Sequence, residues 1–106
     1  MDLETFKQTA IEAARKSADI LRSRFGQISR IRKKAAAEIV TEADTESEKT
    51  IVSTIQDRFP SHAILGEEYG LISGTSEYKW IVDPLDGTVN FAHQIPIFSI
   101  SIALAV

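Results

Sequence analysis

The chain has 106 residues, 43% hydrophobic and 25% charged, with one Trp, five Gly, three Pro and no Cys. This composition belongs to an ordinary globular protein and excludes disulfide frameworks, zinc ribbons and thiol nucleophiles. The net charge of −3 is uneven: residues 61–106 carry one Lys or Arg against five acids, the reverse of the basic excess expected of a bulk nucleic-acid binder.

Apolar residues recur at Leu3, Phe6, Ala10, Ala14, Ala18, Leu21 and Phe25, steps of three and four that predict an α-helix of about six turns, with Gly26 as its C′ residue. The segment Ser29 to Lys34, with Arg30, Arg32, Lys33 and Lys34, is a loop or short strand, read as a solvated basic connection or as a lip that draws in an anionic substrate. A second helix is predicted to start near Asp44-Thr45, where Thr45 and Glu48 have capping-box spacing. Ile51, Val52, Ile55 and Phe59 give it an apolar face, and Pro60 closes it.

Ala63-Ile64-Leu65 reads as a short buried strand delivering Gly66-Glu67-Glu68, and Tyr69 to Glu77 as a hairpin or loop. Trp80-Ile81-Val82 is a second buried strand, running into Asp83-Pro84-Leu85-Asp86-Gly87-Thr88. From Ile97 to Val106 large side chains alternate with Ser99, Ser101, Ala103 and Ala105, which predicts a strand buried on both faces. Two helices followed by strands make the class α+β, helices on a largely antiparallel sheet. A terminal carboxylate at the end of a buried strand would be costly to desolvate, so the apolar ending at Val106 leads to the expectation of a fragment of a longer protein.

The chemistry concentrates late in the chain. Asp83 and Asp86 flank a stiff Pro84-Leu85 bend that can turn both carboxylates toward one cation, and hard oxygen donors suit magnesium. If Glu67 arrives from the neighbouring strand end, three carboxylates converge, more charge than a cavity holds without metal. Thr88 can cap a helix whose first amides, with Gly87 leaving room, take a phosphate. Metal beside phosphate points to phosphoryl transfer to water.

The run Trp80-Ile81-Val82-Asp83-Pro84-Leu85-Asp86-Gly87-Thr88-Val89-Asn90-Phe91 resembles the signature of the inositol monophosphatases. Val40-Thr41-Glu42-Ala43-Asp44, Phe59-Pro60-Ser61-His62 and Leu65-Gly66-Glu67-Glu68 follow that family's order. The resemblance implies the first part of an αβαβα sandwich, with residues 1–106 as the metal- and phosphate-binding N-terminal portion of a protein more than twice as long. It implies that Glu67, Asp83 and the Leu85 carbonyl hold one Mg2+, that Asp83 and Asp86 hold a second, and that Glu67 shares in catalysis. Thr88 paired with Asp44 would deprotonate the attacking water, and Gly87, Thr88 and Asp86 would meet the substrate.

The function so implied is a Mg2+-dependent phosphatase acting on a small phosphorylated substrate, inositol monophosphate first. Fructose 1,6-bisphosphate and 3'(2'),5'-bisphosphate nucleotides are alternatives, and a non-catalytic regulatory or assembly module is the rival of another class. His62 and His93 are expected to be structural. Family likeness further implies a homodimer. The longest apolar run falls short of the roughly 20 residues of a membrane span, and Met1-Asp2-Leu3-Glu4 is no signal peptide. The expectation is therefore a cytoplasmic protein with neither membrane nor nucleic acid as partner.

Overall fold

The computed structural model describes residues 3–26, 31–35, 38–93 and 99–106; Ser29, Arg30, Ile97 and Phe98 of the segments above lie outside them. Helix α1 (Leu3–Arg24) leads into a hairpin of β1 (Ile31–Ala35) and β2 (Glu38–Thr41), then α2 (Glu42–Arg58). The basic segment thus continues as a strand, one of its two alternatives. Strands β3 (Ala63–Gly66), β4 (Gly70–Ile72), β5 (Lys79–Asp86) and β6 (Ser99–Ala105) form a sheet in the order β4-β3-β5-β6, with helix α3 (Thr88–Ala92) between the last two. β3 and β5 are parallel, and the other two pairings are antiparallel. The predicted α+β class, two helices on a largely antiparallel sheet, is what the chain adopts.

Three local expectations need correction. The buried line of α1 is Phe6, Thr9, Ala13, Ser17 and Leu21, while Leu3 is 65% exposed. The helix is turned from the most apolar stripe because small residues let it close on α2, where the buried Ser17 and Ser47 hydroxyls meet. Helix α2 begins at Glu42, two residues before Asp44 and three before Thr45, with Thr41 as N-cap. Its capping box pairs Thr41 with Asp44, not Thr45 with Glu48, because Glu48 is engaged across the fold.

The third correction concerns β6. Its large side chains, Ile100, Ile102 and Leu104, pack toward the core, but Ser99, Ser101 and Ala103 are exposed. Both long helices lie on the other side of the sheet. Along the open side Leu71, Leu65, Ile81 and Ala103 stand in register across four strands, with the first three 61%, 38% and 43% exposed.

The main core joins Phe6, Ala13, Ile51, Ile55, Ile64, Trp80 and Val82. His62 belongs to it, 7% exposed, stacked on Phe59 at 4.7 Å between ring centres. The Trp80 indole N–H donates to its Nδ1 at 3.0 Å. An indole nitrogen only donates, so Nδ1 must carry a lone pair and the ring must be neutral. Burial holds the His62 pKa below its usual 6.5.

The unfolded chain therefore binds a proton that the folded chain refuses. The stabilisation is complete above pH 6.5 and is lost as pH falls through the folded pKa. His62→Gln, which keeps an acceptor that does not titrate, should remove this contribution, so the thermal midpoint of the parent measured relative to that variant should fall between pH 7.5 and 5.5. The bond at stake contributes about 1 kcal/mol. Identical slopes in parent and variant would place the pH dependence elsewhere.

Candidate active site

Strand β5 supplies the first part of the site by breaking its own alternation. From Lys79 to Val82 every second residue is buried; then Pro84 and Leu85 are both buried, leaving Asp83 partly exposed and Asp86 exposed. Residues three apart in a regular strand face opposite sides. Here three steps on β5 oppose two on β6, Asp83 pairing with Ser101 and Asp86 with Ser99. That extra residue is a β-bulge, and it returns both carboxylates to one side. Pro84, without an N–H, suits the interruption, and the Leu85 side chain is held by Leu21 and Ala43.

The bend is also tied from behind. The Ser47 hydroxyl donates to the Pro84 carbonyl at 3.0 Å, and Ser17 meets Ser47 in turn. One buried chain of hydroxyls thus joins α1, α2 and the bulge. The Leu85 N–H donates to Asp83 Oδ1 at 3.3 Å. Gly87 follows with φ of 95°, a conformation that side-chain-bearing residues rarely take, and the chain turns there into α3. Thr88 is the first residue of that helix rather than its cap.

Parallel pairing of β3 with β5 sets Gly66 beside Val82, so Glu67 emerges next to Asp83. Partial burial and the Glu67 carboxyl beside it, with Asp86 adding repulsion, push the Asp83 pKa up to about 6. Carboxyls crowded in this way bring together more negative charge than the bare site accommodates. Among the described residues no three His, Asp or Glu side chains close into a ready cation cage. Glu67 and Asp83 meet, and Asp86 acts from farther off. The donors are all hard oxygens, a set that fits a magnesium-like ion completing its shell with water and substrate.

On the other side stands Asp44, 2% exposed. Its Oδ2 accepts the Thr41 N–H at 2.8 Å and the Thr41 hydroxyl at 2.6 Å. Its Oδ1 accepts the Thr88 hydroxyl at 2.8 Å, with the Leu85 carbonyl 3.1 Å from the same Oγ1. Residues 44 and 88 thus meet across 44 positions of sequence. Composition and spacing mark Asp44 only as a helix-start residue; the family motif alone singles it out.

Glu48 is a residue that sequence reasoning missed. It is fully buried, and its two oxygens accept the N–H groups of Glu68 at 2.9 Å and Tyr69 at 2.6 Å. Its separation of 20 and 21 residues from those partners leaves no local signal. His62 is a core residue, while His93 stands outside the contacts described above.

Two helices on a mixed four-stranded sheet, with carboxylates gathered where the central strand breaks, define the layered architecture of the sugar phosphatases. Residues 2–106 match the model of the Inositol monophosphatase family, and the chain belongs to that family. It is 47% identical over 97 residues to the Inositol-1-monophosphatase of Caulobacter vibrioides, covering 89% of this chain and 38% of that protein. To the Nus factor SuhB of Pseudomonas aeruginosa it is 43% identical, covering 89% and 36%.

Among solved structures, the extragenic suppressor protein suhB of Bartonella henselae superposes with a TM-score of 0.91 at 36% identity, covering 94% of this chain and 40% of that one. The IMPase of Thermotoga maritima gives 0.84 at 39% identity, covering 99% and 40%. The chain spans about two fifths of the length of these relatives.

Proposed function

We propose that this chain is the N-terminal metal- and phosphate-binding portion of a Mg2+-dependent phosphatase that hydrolyses a small phosphomonoester, inositol monophosphate foremost. The observation that carries the reading is the Thr88–Asp44 hydrogen bond beside crowded carboxyls at Glu67, Asp83 and Asp86. In this reading Glu67, Asp83 and the Leu85 carbonyl hold one Mg2+, Asp83 and Asp86 hold a second, and Glu67 thereby serves catalysis. When bound, Mg2+ supplies charge neutralisation and activation of water.

The chain's own residues handle the proton. Because Thr88 gives its hydroxyl hydrogen to Asp44 Oδ1, lone pairs on Oγ1 are free to accept a hydrogen from an incoming water. As that proton moves to Oγ1, the threonine proton passes to the carboxylate. Thr41 fills the other oxygen of Asp44 with two donors, which fixes the acceptor's direction. The Gly87 and Thr88 amides, with Asp86, face the substrate. The proposal extends to a homodimer in the cytoplasm; among the described residues no helix is long and apolar enough to cross a membrane.

The test is phosphate release by the full-length protein from myo-inositol 1-phosphate, with and without Mg2+. Turnover should vanish on chelation, and Thr88→Ala should lower kcat by about 10²–10⁴-fold, the usual contribution of a proton-transfer group. Absence of release from this substrate, fructose 1,6-bisphosphate and 3'-phosphorylated nucleotides alike would defeat the reading. A second reading, a regulatory or assembly role without turnover, draws on the relatives named Nus factor SuhB.

A further inference from the structure

An ionised carboxylate is costly to remove from water unless strong hydrogen bonds replace the solvent. Glu48 is nevertheless fully buried on the inner face of α2. Both of its oxygens are used, and both on the main chain of one turn: Glu68 N–H at 2.9 Å and Tyr69 N–H at 2.6 Å. Such charge-assisted bonds are short and directional. The carboxylate fits against Gly66 so closely that any Cβ there would fall on it.

Gly66, Glu68 and Tyr69 bracket Glu67. The turn they form joins β3 to β4, whose last and first residues, Gly66 and Gly70, pair with each other. Tight on one side against Gly66 and bonded to two amides on the other, Glu48 leaves this turn one position. Val82 lies opposite Gly66 on β5, so that position is the one in which the Glu67 carboxyl reaches Asp83.

We infer that Glu48 is a positioning residue of the site: from inside α2 it clamps the main chain around Glu67 and so sets that carboxylate beside Asp83 for a divalent cation. The inference rests on the function proposed above. It assigns Glu48 no contact with substrate or cation. Its effect is the placement of one oxygen-bearing arm.

Glu48→Gln keeps the shape but turns an NH2 group toward a main-chain donor, so one of the two bonds is lost. Gly66→Ala disturbs the same clamp from the other side without touching the charge. In the full-length protein, each variant should raise the Mg2+ concentration that gives half of the maximal thermal shift by about 10–100-fold, the usual effect of losing a group that orients a ligand. Amide exchange at one of the two, Glu68 or Tyr69, should quicken at least about tenfold in Glu48→Gln, the loss expected of one charge-assisted bond.

The unaltered protein carries a reciprocal test: Mg2+ should slow exchange at those two amides, since a clamp that favours the cation must be favoured by it. A folded Glu48→Gln with an unchanged Mg2+ midpoint, or Mg2+ binding that leaves both amides as they were, would overturn the inference while the phosphatase reading stood. A parent protein with no thermal response to Mg2+ would remove that reading, and this inference with it.

Discussion

Asp83→Asn is expected to abolish Mg2+-dependent phosphate release while making the cation-free protein more stable at neutral pH. The two effects share one cause. The folded Asp83 titrates at about 6 rather than 3.8, through partial burial and the neighbouring Glu67. The folded state therefore binds the proton more tightly than the unfolded one. Stability from this group is complete below pH 3.8 and is lost as pH rises through about 6.

Asparagine removes the charge but keeps an acceptor for the Leu85 N–H. Solvent screening holds the gain in stability to about 1 kcal/mol, read from urea unfolding with chelator present. The loss of activity is far larger, on the order of a thousandfold or more, because several kcal/mol of charge stabilisation depend on the cation. Equal turnover in variant and parent would remove Asp83 from the mechanism. A variant less stable without cation would remove the crowding argument.

Asp44→Ala should cost both stability and turnover, and Asp44→Asn should separate them. Alanine leaves three hydrogen-bond donors without their acceptor: the Thr41 N–H, the Thr41 hydroxyl and the Thr88 hydroxyl. Unsatisfied buried donors and a lost helix cap together cost on the order of 3 kcal/mol. Asparagine retains one oxygen for part of this network and costs less, but its carboxamide takes no proton from Thr88. Both variants should lose about 10²–10⁴-fold in kcat. A fully active Asp44→Asn would reduce the residue to a structural cap.

These two carboxylates also show what the sequence makes legible. Asp83 and Asp86 stand out because Asp-Pro-x-Asp-Gly is a local pattern, and its geometry follows from a local event, the bulge. Strands β3 and β5 were legible for the same reason, as short apolar runs that end on acids. Asp44 becomes a site residue only through a partner 44 positions away, so it reads as helix punctuation until the family motif is considered.

The start of α2 was misplaced by the same logic. Thr41 with Asp44 and Thr45 with Glu48 offer the same spacing of three residues. The choice between them is made by Glu48, whose partners lie across the fold. The turned face of α1 has a related origin. Apolar periodicity selects the greasiest stripe, whereas close approach of two helices selects the small one, and Thr9, Ala13 and Ser17 prevail. For β6, alternation of large and small residues described the side chains correctly but carried no information on what covers each face.

The bulge between Asp83 and Asp86 has a consequence for how this segment tolerates change over generations. What position 85 contributes to the site is a main-chain oxygen that every amino acid possesses, while its side chain needs only to fill the space beside Leu21 and Ala43. Exchange among apolar residues of similar size leaves both contributions in place. Insertion or loss of a single residue between the two aspartates changes the parity of the strand and swings one carboxylate away from the other. At this point the site depends more on the number of residues than on which apolar residue stands among them.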